Sequence, residues 1–309
     1  MLRRRWKRPV PALTPSAAEI AAMVRAGLPD ANVAGFAMLE GGLANTNIRV
    51  DLAGGRVLLR LYQRDPAQAE KEAAIARRLA GRVPVPRFVH LGDFGGQRFA
   101  LLEWIDGMPL DAALTDAAAR TMLGRAVGET LARIHAVHFE RAGLLDGALA
   151  VAAPIVADGA WLARFLRATL IDGGGARFVP RDLADAAIAF ALANDAPWGG
   201  PFCLSHCDYN GSNILVRDGR VAAVLDWEFA MAGTPAPDFG NLMRNHPETD
   251  FQDAVAAGYA AAGGHLPEHW RRLARIADLA AWADFLDRPV VDPALADDAL
   301  AALRETIAR

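Results

Sequence analysis

The chain has 309 residues, of which 53% are apolar, so it can bury enough surface for two packed lobes. Its formal net charge of −3 excludes the strong overall basic field that attracts nucleic acid or an anionic membrane. Because no run of about eighteen apolar residues occurs, no membrane-spanning helix is expected either. The sequence therefore predicts a cytoplasmic protein with small-molecule or protein partners, and it leaves the oligomeric state open.

Residues 1–16 are interpreted as an N-terminal tail that opens with a strongly basic run. No apolar core and cleavage site follow that run, so it does not resemble a secretory signal. We expect a solvated tail, with a functional basic patch as the alternative.

Residues 17–105 are predicted to form a β-rich first lobe. Short apolar strands separated by glycine-rich turns are expected at 33–39, 47–52, 56–62, 88–91 and 98–104. One helix is expected at 66–80, where apolar residues recur at helical spacing after a possible cap at Asp65. A nucleotide-binding lobe with one inserted helix is the interpretation.

Residues 106–309 are predicted to form a mostly helical second lobe. Gly107 and Pro109 make residues 105–109 a natural hinge between the lobes. Helices are expected at 117–138, 161–171, 181–194, 251–262, 269–287 and 293–307. We expect only the two strands of one hairpin to interrupt them.

That hairpin contains the most informative residues of the chain. Asp208 and Asn213 lie five positions apart in a loop that runs into a β-branched strand, and Asp226 ends the returning strand after a turn at Asp218 and Gly219. An aspartate that accepts a hydroxyl proton, with an asparagine and a second aspartate that hold magnesium, is typical of phosphoryl transfer. A plain turn is the alternative, since these residue types also populate ordinary loops.

Cys203 and Cys207 are the only cysteines and lie beside this loop. Their spacing favours buried free thiols over a disulfide framework. Together with His206 they are too crowded for a closed zinc site.

A second candidate loop lies in the first lobe at residues 40–47. The glycines Gly41 and Gly42 would let backbone amides approach phosphates, and Asn45 or Thr46 would add a side-chain donor. A hairpin loop without any ligand has the same composition, so this pattern alone is weak.

Arg60 is a lone cation inside an apolar strand, a placement that requires an anionic partner or ligand. The chain has only two lysines, Lys7 in the tail and Lys71 on the following helix, so Arg60 is the candidate that binds nucleotide phosphates. Glu72 is predicted to orient it in preference to Glu70, which lies nearer the helix start. The alternative is that Glu72 lies on an exposed helix face and is solvated.

These residues resemble the aminoglycoside phosphotransferase and choline kinase family over roughly residues 33–244. The family pattern of His, Asp and Asn falls on His206, Asp208 and Asn213, and its second metal aspartate falls on Asp226. Arg60 resembles the choline kinases, whereas many antibiotic kinases use Lys. The resemblance implies a protein-kinase-like α+β fold with two lobes and a small-molecule kinase.

The sequence departs from the family pattern at two places. Tyr209 and Asn210 replace a common Leu-His, and Ala44 replaces a common loop serine. These differences concern the substrate and the loop rather than the reaction.

Asp238 begins a literal Asp-Phe-Gly, yet it follows two prolines and is expected to open a helix rather than to bind metal. The resemblance implies that it buttresses the catalytic loop, as does His206, with simple helix capping as the alternative for Asp238. Only eleven residues separate Asp226 from Asp238, too few for the activation segment of a protein kinase. A small-molecule acceptor is therefore favoured.

The expected reaction is transfer of the γ-phosphoryl group from ATP, with Mg²⁺, to a hydroxyl of a small molecule. Glu103 and Trp104 belong to a segment predicted to offer hinge backbone groups to adenine. For the acceptor, Glu228 is the preferred contact.

A cationic amino alcohol, amino sugar or aminoglycoside is the expected acceptor, because Asp278 and Trp282 share a helical stretch with Asp284. A solvated helix face is the alternative for these residues. Two other protein classes remain open: a degraded kinase that senses a nucleotide or metabolite, and, less favoured, a hydrolase that uses Ser205 or Ser212 with His206.

Overall fold

The computed structural model describes residues 11–39, 44–156, 159–194 and 198–308. The first element is a helix that the sequence interpretation did not include, α1 (Ala17–Gly27). The Ser16 hydroxyl accepts from the Glu19 amide, and the Glu19 carboxylate accepts from the Ser16 amide, so a capping box starts it. The helix buries Ile20, Met23 and Val24.

The first lobe is built on an antiparallel sheet of five strands in the order β1-β2-β3-β5-β4. The strands are β1 (Val33–Met38), β2 (Thr46–Leu52), β3 (Gly55–Leu61), β4 (Phe88–Phe94) and β5 (Gln97–Glu103), with helix α2 (Gln68–Leu79) between β3 and β4. One face of β2 and β3 packs on α1, and α2 covers the neighbouring part of the sheet. The predicted β-rich lobe with one inserted helix is confirmed.

The chain then crosses to the second lobe through β6 (Met108–Pro109), which pairs with a strand of the catalytic hairpin. The placement of the lobe boundary at residues 105–106 stays a prediction. The second lobe is largely helical, as expected, and its helices are α3 (Leu110–Ala113), α4 (Ala117–His135), α5 (Gly159–Leu170), α6 (Arg181–Ala193), α7 (Ala236–Asn245), α8 (Thr249–Ala261), α9 (Trp270–Asp287) and α10 (Pro293–Ile307).

More strands interrupt these helices than the sequence suggested. The hairpin strands are β11 (Ile214–Arg217) and β12 (Arg220–Val224), and the additional ones are β7 (His138–Phe139), β8 (Gly143–Leu145), β9 (Val151–Pro154), β10 (Phe202–Ser205) and β13 (Met231–Gly233). The five additional strands form a second sheet in the order β7-β10-β13-β8-β9. The expectation of two strands was wrong because strands of two to four residues are too short to show an alternating pattern.

Helices α4 and α8 approach each other closely through glycines. A Cβ placed on Gly128 would lie 2.0 Å from the Val255 carbonyl oxygen, and one on Gly258 would lie 2.1 Å from that of Arg125. The two helices pack into a large core, to which α8 contributes the buried Phe251 and Tyr259. This core supports the loop between β10 and β11.

Within the described ranges, the structure contains no helix that is both long and apolar enough to span a membrane. Cys203 and Cys207 are free thiols, as the sequence suggested. Burial raises the pKa of both thiols, which keeps them protonated and unreactive near neutral pH.

Candidate active site

The loop between β10 and β11 carries Asp208 and Asn213, and Asp208 lines a large cavity. Two non-glycine residues of the site have positive φ angles, Cys207 in this loop at 61° and Asp226 after β12 at 65°. Such backbone conformations are costly for side-chain-bearing residues and persist where the surrounding structure enforces them. At this site the contacts of Asp208, His206 and Asp238 supply that enforcement.

The Asp208 carboxylate is held by two side-chain amides. Asn213 Nδ2 donates to Asp208 Oδ2 at 2.7 Å and to its carbonyl oxygen at 2.9 Å, while Asn210 Nδ2 donates to Asp208 Oδ1 at 2.7 Å. The structure therefore brings Asp208 and Asn213 into direct contact. Asn210 was noted in the sequence only as a departure from the family pattern, yet it orients the candidate base.

His206 links the candidate base to the strand that carries Asp226. Its ring is fully buried, Nδ1 accepts from the Asp208 amide at 3.2 Å, and Nε2 lies 2.9 Å from the Leu225 carbonyl oxygen. Since a carbonyl can only accept, Nε2 carries the proton and Nδ1 is the acceptor. One imidazole thus ties together the two loops of the site.

Asp238 lies beneath the same loop and is fully buried. Its Oδ2 accepts from the His206 amide at 2.9 Å, and its Oδ1 accepts from the Cys207 amide at 2.7 Å. Nε2 of His135, from α4, lies 2.9 Å from Oδ2, and its Nδ1 lies 2.9 Å from the Tyr259 hydroxyl. The role of Asp238 as a buttress stays a prediction, and His135, which contacts it, was missed by sequence reasoning.

Arg60 lies between two carboxylates. Its Nη1 is 2.6 Å from Glu72 Oε2, its Nη2 is 3.0 Å from Asp226 Oδ1, and its Nε donates to Asn47 Oδ1 at 3.2 Å. Burial opposes the charge of Arg60, but the two carboxylates outweigh that effect and raise its pKa well above the usual value. The guanidinium remains charged in this buried position and spans the two lobes.

The choice of Glu72 over Glu70 agrees with the contacts. Glu72 is 2% exposed and also accepts from the Tyr62 hydroxyl at 2.9 Å, whereas Glu70 pairs with Arg98 at the start of β5. Burial raises the pKa of Glu72, and the nearby Arg60 opposes that rise. The inward carboxylate of α2 is the partner of Arg60.

Lys71, the residue before Glu72, was missed as a site residue. Its side chain is buried, and Nζ donates to the carbonyl oxygens of Glu228 at 2.7 Å and Ala230 at 3.2 Å. Burial lowers its pKa, since an ammonium loses hydration there. Lys71 therefore clamps the turn that follows Asp226 onto the first lobe.

The candidate phosphate loop is described only from Ala44 onward, so Gly41 and Gly42 lie outside the described residues. Asn45 and Thr46 are buried: Asn45 Oδ1 accepts from the Gln63 amide at 3.2 Å, and Thr46 Oγ1 accepts from the Leu13 amide at 3.0 Å. Asn45 also lines the cavity, whereas Thr46 does not. Their role toward phosphates stays a prediction.

The candidate hinge lies apart from the cavity. The Glu103 amide donates to the Arg87 carbonyl oxygen at 2.9 Å, and Trp104 Nε1 donates to Asp106 Oδ1 at 2.9 Å. Neither residue is among those that line the cavity. The backbone amide of Glu103 is therefore engaged in the sheet, and adenine binding by this segment remains a prediction.

A cavity of about 740 Å³ runs from the first lobe past the catalytic loop into the second lobe. Asn45 and Arg60 line one end, Asp208 and Asp226 line the middle, and α5 and α9 line the far end. A nucleotide and an acceptor can thus approach the two aspartates from opposite sides. This is the arrangement that transfer between two bound molecules requires.

Glu228 lines the same cavity, with a side chain 8% exposed and 3.9 Å from Arg64. Burial, with the nearby charge of Asp226, raises the pKa of Glu228 to about 7. Its position close to Asp226 is compatible with the predicted acceptor contact.

The predicted cation site on α9 has a basic neighbour in the structure, and its role toward an acceptor stays a prediction. Asp278 lines the cavity, but its Oδ1 is 3.3 Å from Arg244 Nη1, and both side chains are less than 10% exposed. The guanidinium of Arg244 also lies 5.5 Å from the centre of the Trp282 ring, which is buried outside the cavity lining. Arg244 already occupies the carboxylate and the ring face that were expected to bind a cationic acceptor.

The donor atoms near Asp226 fit magnesium. Asn213 would offer an amide oxygen and Asp226 a carboxylate, both of them the hard oxygen donors that Mg²⁺ prefers. Asn213 lies next to Asp208, and Asp226 lies next to Arg60. The residues therefore suit a magnesium–nucleotide complex.

Comparison with known proteins gives a consistent result. The model of the family APH, described as "Phosphotransferase enzyme family", matches residues 36–276. The search of curated protein sequences returned no match. The structure of the macrolide 2'-phosphotransferase MphH from Brachybacterium faecium aligns with a TM-score of 0.67 at 25% identity, covering 92% of this chain and 97% of that one.

Two further solved structures share the fold. A thermostable form of the aminoglycoside phosphotransferase APH(4)-Ia, in complex with AMP-PNP and hygromycin B, aligns with a TM-score of 0.72 at 19% identity over 95% of this chain and 98% of its own. A Thermobifida fusca protein provisionally named a fructosamine-3-kinase aligns with a TM-score of 0.66 at 22% identity over 94% of this chain and 100% of its own. The matched family model covers most of the chain, and the chain therefore belongs to the APH phosphotransferase enzyme family of small-molecule kinases.

Proposed function

We propose that the protein transfers the γ-phosphoryl group of ATP, in the presence of Mg²⁺, to a hydroxyl group of a small molecule. The observation that carries this proposal is the placement of the Asp208 carboxylate, oriented by Asn210 and Asn213, in the wall of the cavity that Asp226 also lines. All three expected chemistries, a proton acceptor, an amide oxygen and a second carboxylate, lie within one site.

The Asp208 carboxylate would accept a hydrogen bond from the acceptor hydroxyl. This contact would orient the hydroxyl oxygen toward the γ-phosphorus. As the new oxygen–phosphorus bond forms, the bond from phosphorus to the β-phosphate oxygen breaks and ADP leaves. The hydroxyl proton passes to an Asp208 carboxylate oxygen. The amide donors of Asn210 and Asn213 hold the carboxylate in this orientation, so little reorganisation is needed during transfer.

Arg60 would bind nucleotide phosphates from the first lobe. In the structure its guanidinium contacts Glu72 and Asp226, and the Glu72 contact fixes its direction. Asn213 and Asp226 would hold magnesium, which supplies positive charge to the phosphate oxygens when bound. The related structure in complex with AMP-PNP and hygromycin B supports the presence of a nucleotide and a small-molecule acceptor in this fold.

The test is ADP release from Mg-ATP over a panel of hydroxyl compounds, run with the wild type and with Asp208→Asn. We expect acceptor-dependent ADP release that falls by about a hundredfold or more in the variant, while nucleotide affinity measured by calorimetry changes little. Asp297→Asn, an exposed aspartate on α10, is the matched control. Unchanged turnover in Asp208→Asn would contradict the role of the candidate base.

The alternative is a catalytically degraded sensor that binds a nucleotide or metabolite. It predicts ATP binding without acceptor-dependent ADP release across a wide panel. The contact of Asn213 with the Asp208 carboxylate favours the enzyme, because a sensor has no need for an oriented proton acceptor.

A further inference from the structure

Cys207, the residue before the candidate base, is held at both of its backbone polar groups by helix α7. Its amide donates to Asp238 Oδ1 at 2.7 Å, and its carbonyl oxygen accepts from Asn241 Nδ2 at 3.1 Å. Asp238 and Asn241 are three positions apart on α7, so their side chains share one face. The Cys207 carbonyl and the Asp208 amide belong to one peptide plane. The contact from Asn241 therefore restrains the backbone that carries Asp208.

The side-chain amide of Asn241 has a defined orientation. Its Nδ2 donates to the carbonyl oxygens of Cys207 and Pro237, at 3.1 and 2.9 Å, and its Oδ1 accepts from Arg244 Nη2. Since carbonyl oxygens only accept and a guanidinium only donates, the reverse orientation would lose these contacts. Asn241 is 4% exposed, so its amide depends on protein partners rather than on bulk water.

Arg244 connects Asn241 to helix α9. Its Nη1 is 3.3 Å from Asp278 Oδ1, close enough for an ion pair but outside hydrogen-bond geometry. The two side chains are 4% and 7% exposed, so separating their charges is costly. Helices α7 and α9 also approach closely at Gly240, where an added Cβ would lie 2.6 Å from the Ala274 carbonyl oxygen. A displacement of α9 at this point would therefore displace α7 as well.

These contacts form a continuous path along the wall of the cavity. The contact path consists of Asp278, Arg244, Asn241 and Cys207, and all four residues are among those that line the cavity. Beyond Asp278, the lining continues along α9 with Ala281 and Asp284. The path thus runs from the helix at the far end of the cavity to the residue before the candidate base.

We propose that Asn241 is a positioning residue for Asp208, and that Arg244 and Asp278 extend its hold on the catalytic loop to the acceptor wall. This assignment rests on the proposed function, because it concerns the orientation of the candidate base of the same site. Asn241 fixes the peptide plane before Asp208, and Arg244 fixes Asn241. These residues act on the transfer rate through Asp208 and touch no reacting atom.

The first test is steady-state kinetics of the full chain with Mg-ATP and a responsive acceptor. Asn241→Asp keeps the side-chain shape and the oxygen that faces Arg244, but it places a second oxygen against the carbonyls of Cys207 and Pro237. We expect kcat to fall by about ten- to a hundredfold, with the KM for ATP changed by less than about twofold. Asn32→Asp, an exposed asparagine before β1, is the control. An unchanged kcat in Asn241→Asp would overturn the positioning role.

A double-mutant cycle tests the contact path. Arg244→Met alone would leave a buried carboxylate without its counter-charge, so it is combined with Asp278→Asn. We expect this pair of changes to lower kcat by about three- to tenfold in the wild type and by less than about twofold in Asn241→Asp, because Arg244 acts through Asn241. Arg120→Met with Asp250→Asn breaks an ion pair outside the cavity lining and should leave kcat unchanged. Equal effects of the Arg244 and Asp278 changes in both backgrounds would overturn the path.

Hydrogen exchange separates failure of this inference from failure of the proposed function. The amides of Cys207 and Asp208 donate to Asp238 and His206, so their exchange rates report on the loop without any turnover. Asn241→Asp should speed their exchange by about tenfold and leave the amides of α4 unchanged.

Unchanged exchange at Cys207 and Asp208 would overturn the inference, whether or not the wild type transfers phosphate. Faster exchange with an unchanged kcat would overturn the positioning role. Faster exchange in the variant, with no ADP release from the wild type on any acceptor, would contradict the proposed function and support the hold of Asn241 on the loop.

Discussion

Lys71 connects the two lobes through the main chain of the segment after Asp226, with its Nζ 2.7 Å from the Glu228 carbonyl oxygen. The next residue, Glu72, reaches the same region through Arg60, which contacts Asp226. Consecutive residues of α2 therefore hold both the candidate metal ligand and the turn behind it. The position of Asp226 depends on how α2 packs.

Removal of this clamp should impair catalysis more than nucleotide binding. In Lys71→Met, two carbonyl oxygens lose a charged donor, and the turn that positions Asp226 can shift. We expect kcat to fall by about ten- to a hundredfold, because small displacements of a reacting group have effects of that size. Steady-state kinetics with a responsive acceptor provide the measurement, and Arg78→Met, an exposed change on the same helix, is the control. An unchanged kcat would show that the clamp is structural only.

Lys71 should also make stability depend on pH. Burial lowers its pKa in the folded chain, so between that value and the ordinary pKa of 10.5 the unfolded chain binds more protons. Stability contributed by this group therefore rises with pH through the window and is lost as pH falls through the folded pKa. The measurement is the urea concentration at the midpoint of unfolding, taken from neutral to alkaline pH. This midpoint should rise with pH in the wild type relative to Lys71→Met. A constant difference between the two proteins would contradict the lowered pKa.

Asp238 should support the catalytic loop through its backbone contacts. Asp238→Asn replaces an acceptor oxygen with an NH₂ group that faces the amides of His206 and Cys207 or the ring of His135. We expect a loss of about 1–3 kcal/mol of unfolding free energy and a lower kcat. Chemical denaturation and kinetics test both effects. Loss of stability without loss of kcat would limit Asp238 to a folding role.

Arg60 should contribute through the geometry of its guanidinium as well as its charge. Lysine retains the charge, but it cannot contact Glu72, Asp226 and Asn47 at once as the planar fork does. We expect Arg60→Lys to raise the KM for ATP by about tenfold and Arg60→Ala to raise it further. Arg25→Lys on α1, outside the cavity, serves as the control. If Arg60→Lys had the same KM for ATP as the wild type, the planar guanidinium would not be required for nucleotide binding.

The close approach of α4 and α8 should tolerate no side chain at Gly128. A methyl group there would meet the Val255 carbonyl oxygen at 2.0 Å, so the helices would have to separate. We expect Gly128→Ala to lower the unfolding free energy by about 1–3 kcal/mol. In Gly54→Ala the added Cβ would meet no atom within 4 Å, so this control should remain close to the wild type in thermal unfolding.

Much of the candidate site could be predicted from short segments. The family, the α+β fold with a β-rich first lobe and the small-molecule kinase class are confirmed. Asp208, Asn213 and Asp226 were recognisable because one hairpin carries them, and strand ends project their side chains into one place. Arg60 was recognisable because a lone cation in an apolar strand requires a partner. The catalytic and binding roles of these residues stay predictions that the experiments above address.

The residues that sequence reasoning missed make contacts across long stretches of chain. Lys71 meets a segment 157 residues away, and His135 meets Asp238 at a separation of 103 residues. No local pattern announces such pairs.

The contact between Asp278 and Arg244 was missed for the same reason. The sequence placed an acid and an aromatic ring on one helix, which is the correct local structure, and it could not show that Arg244 from another helix neutralises the acid and covers the ring. The sequence by itself determined the five strands and the inserted helix of the first lobe, most of the longer helices of the second lobe and the residue types of the catalytic hairpin, because backbone preference and short spacing encode them. Only the tertiary structure decided which charges are neutralised and which walls the acceptor meets, since pairing depends on the distance between side chains rather than on their order in the chain.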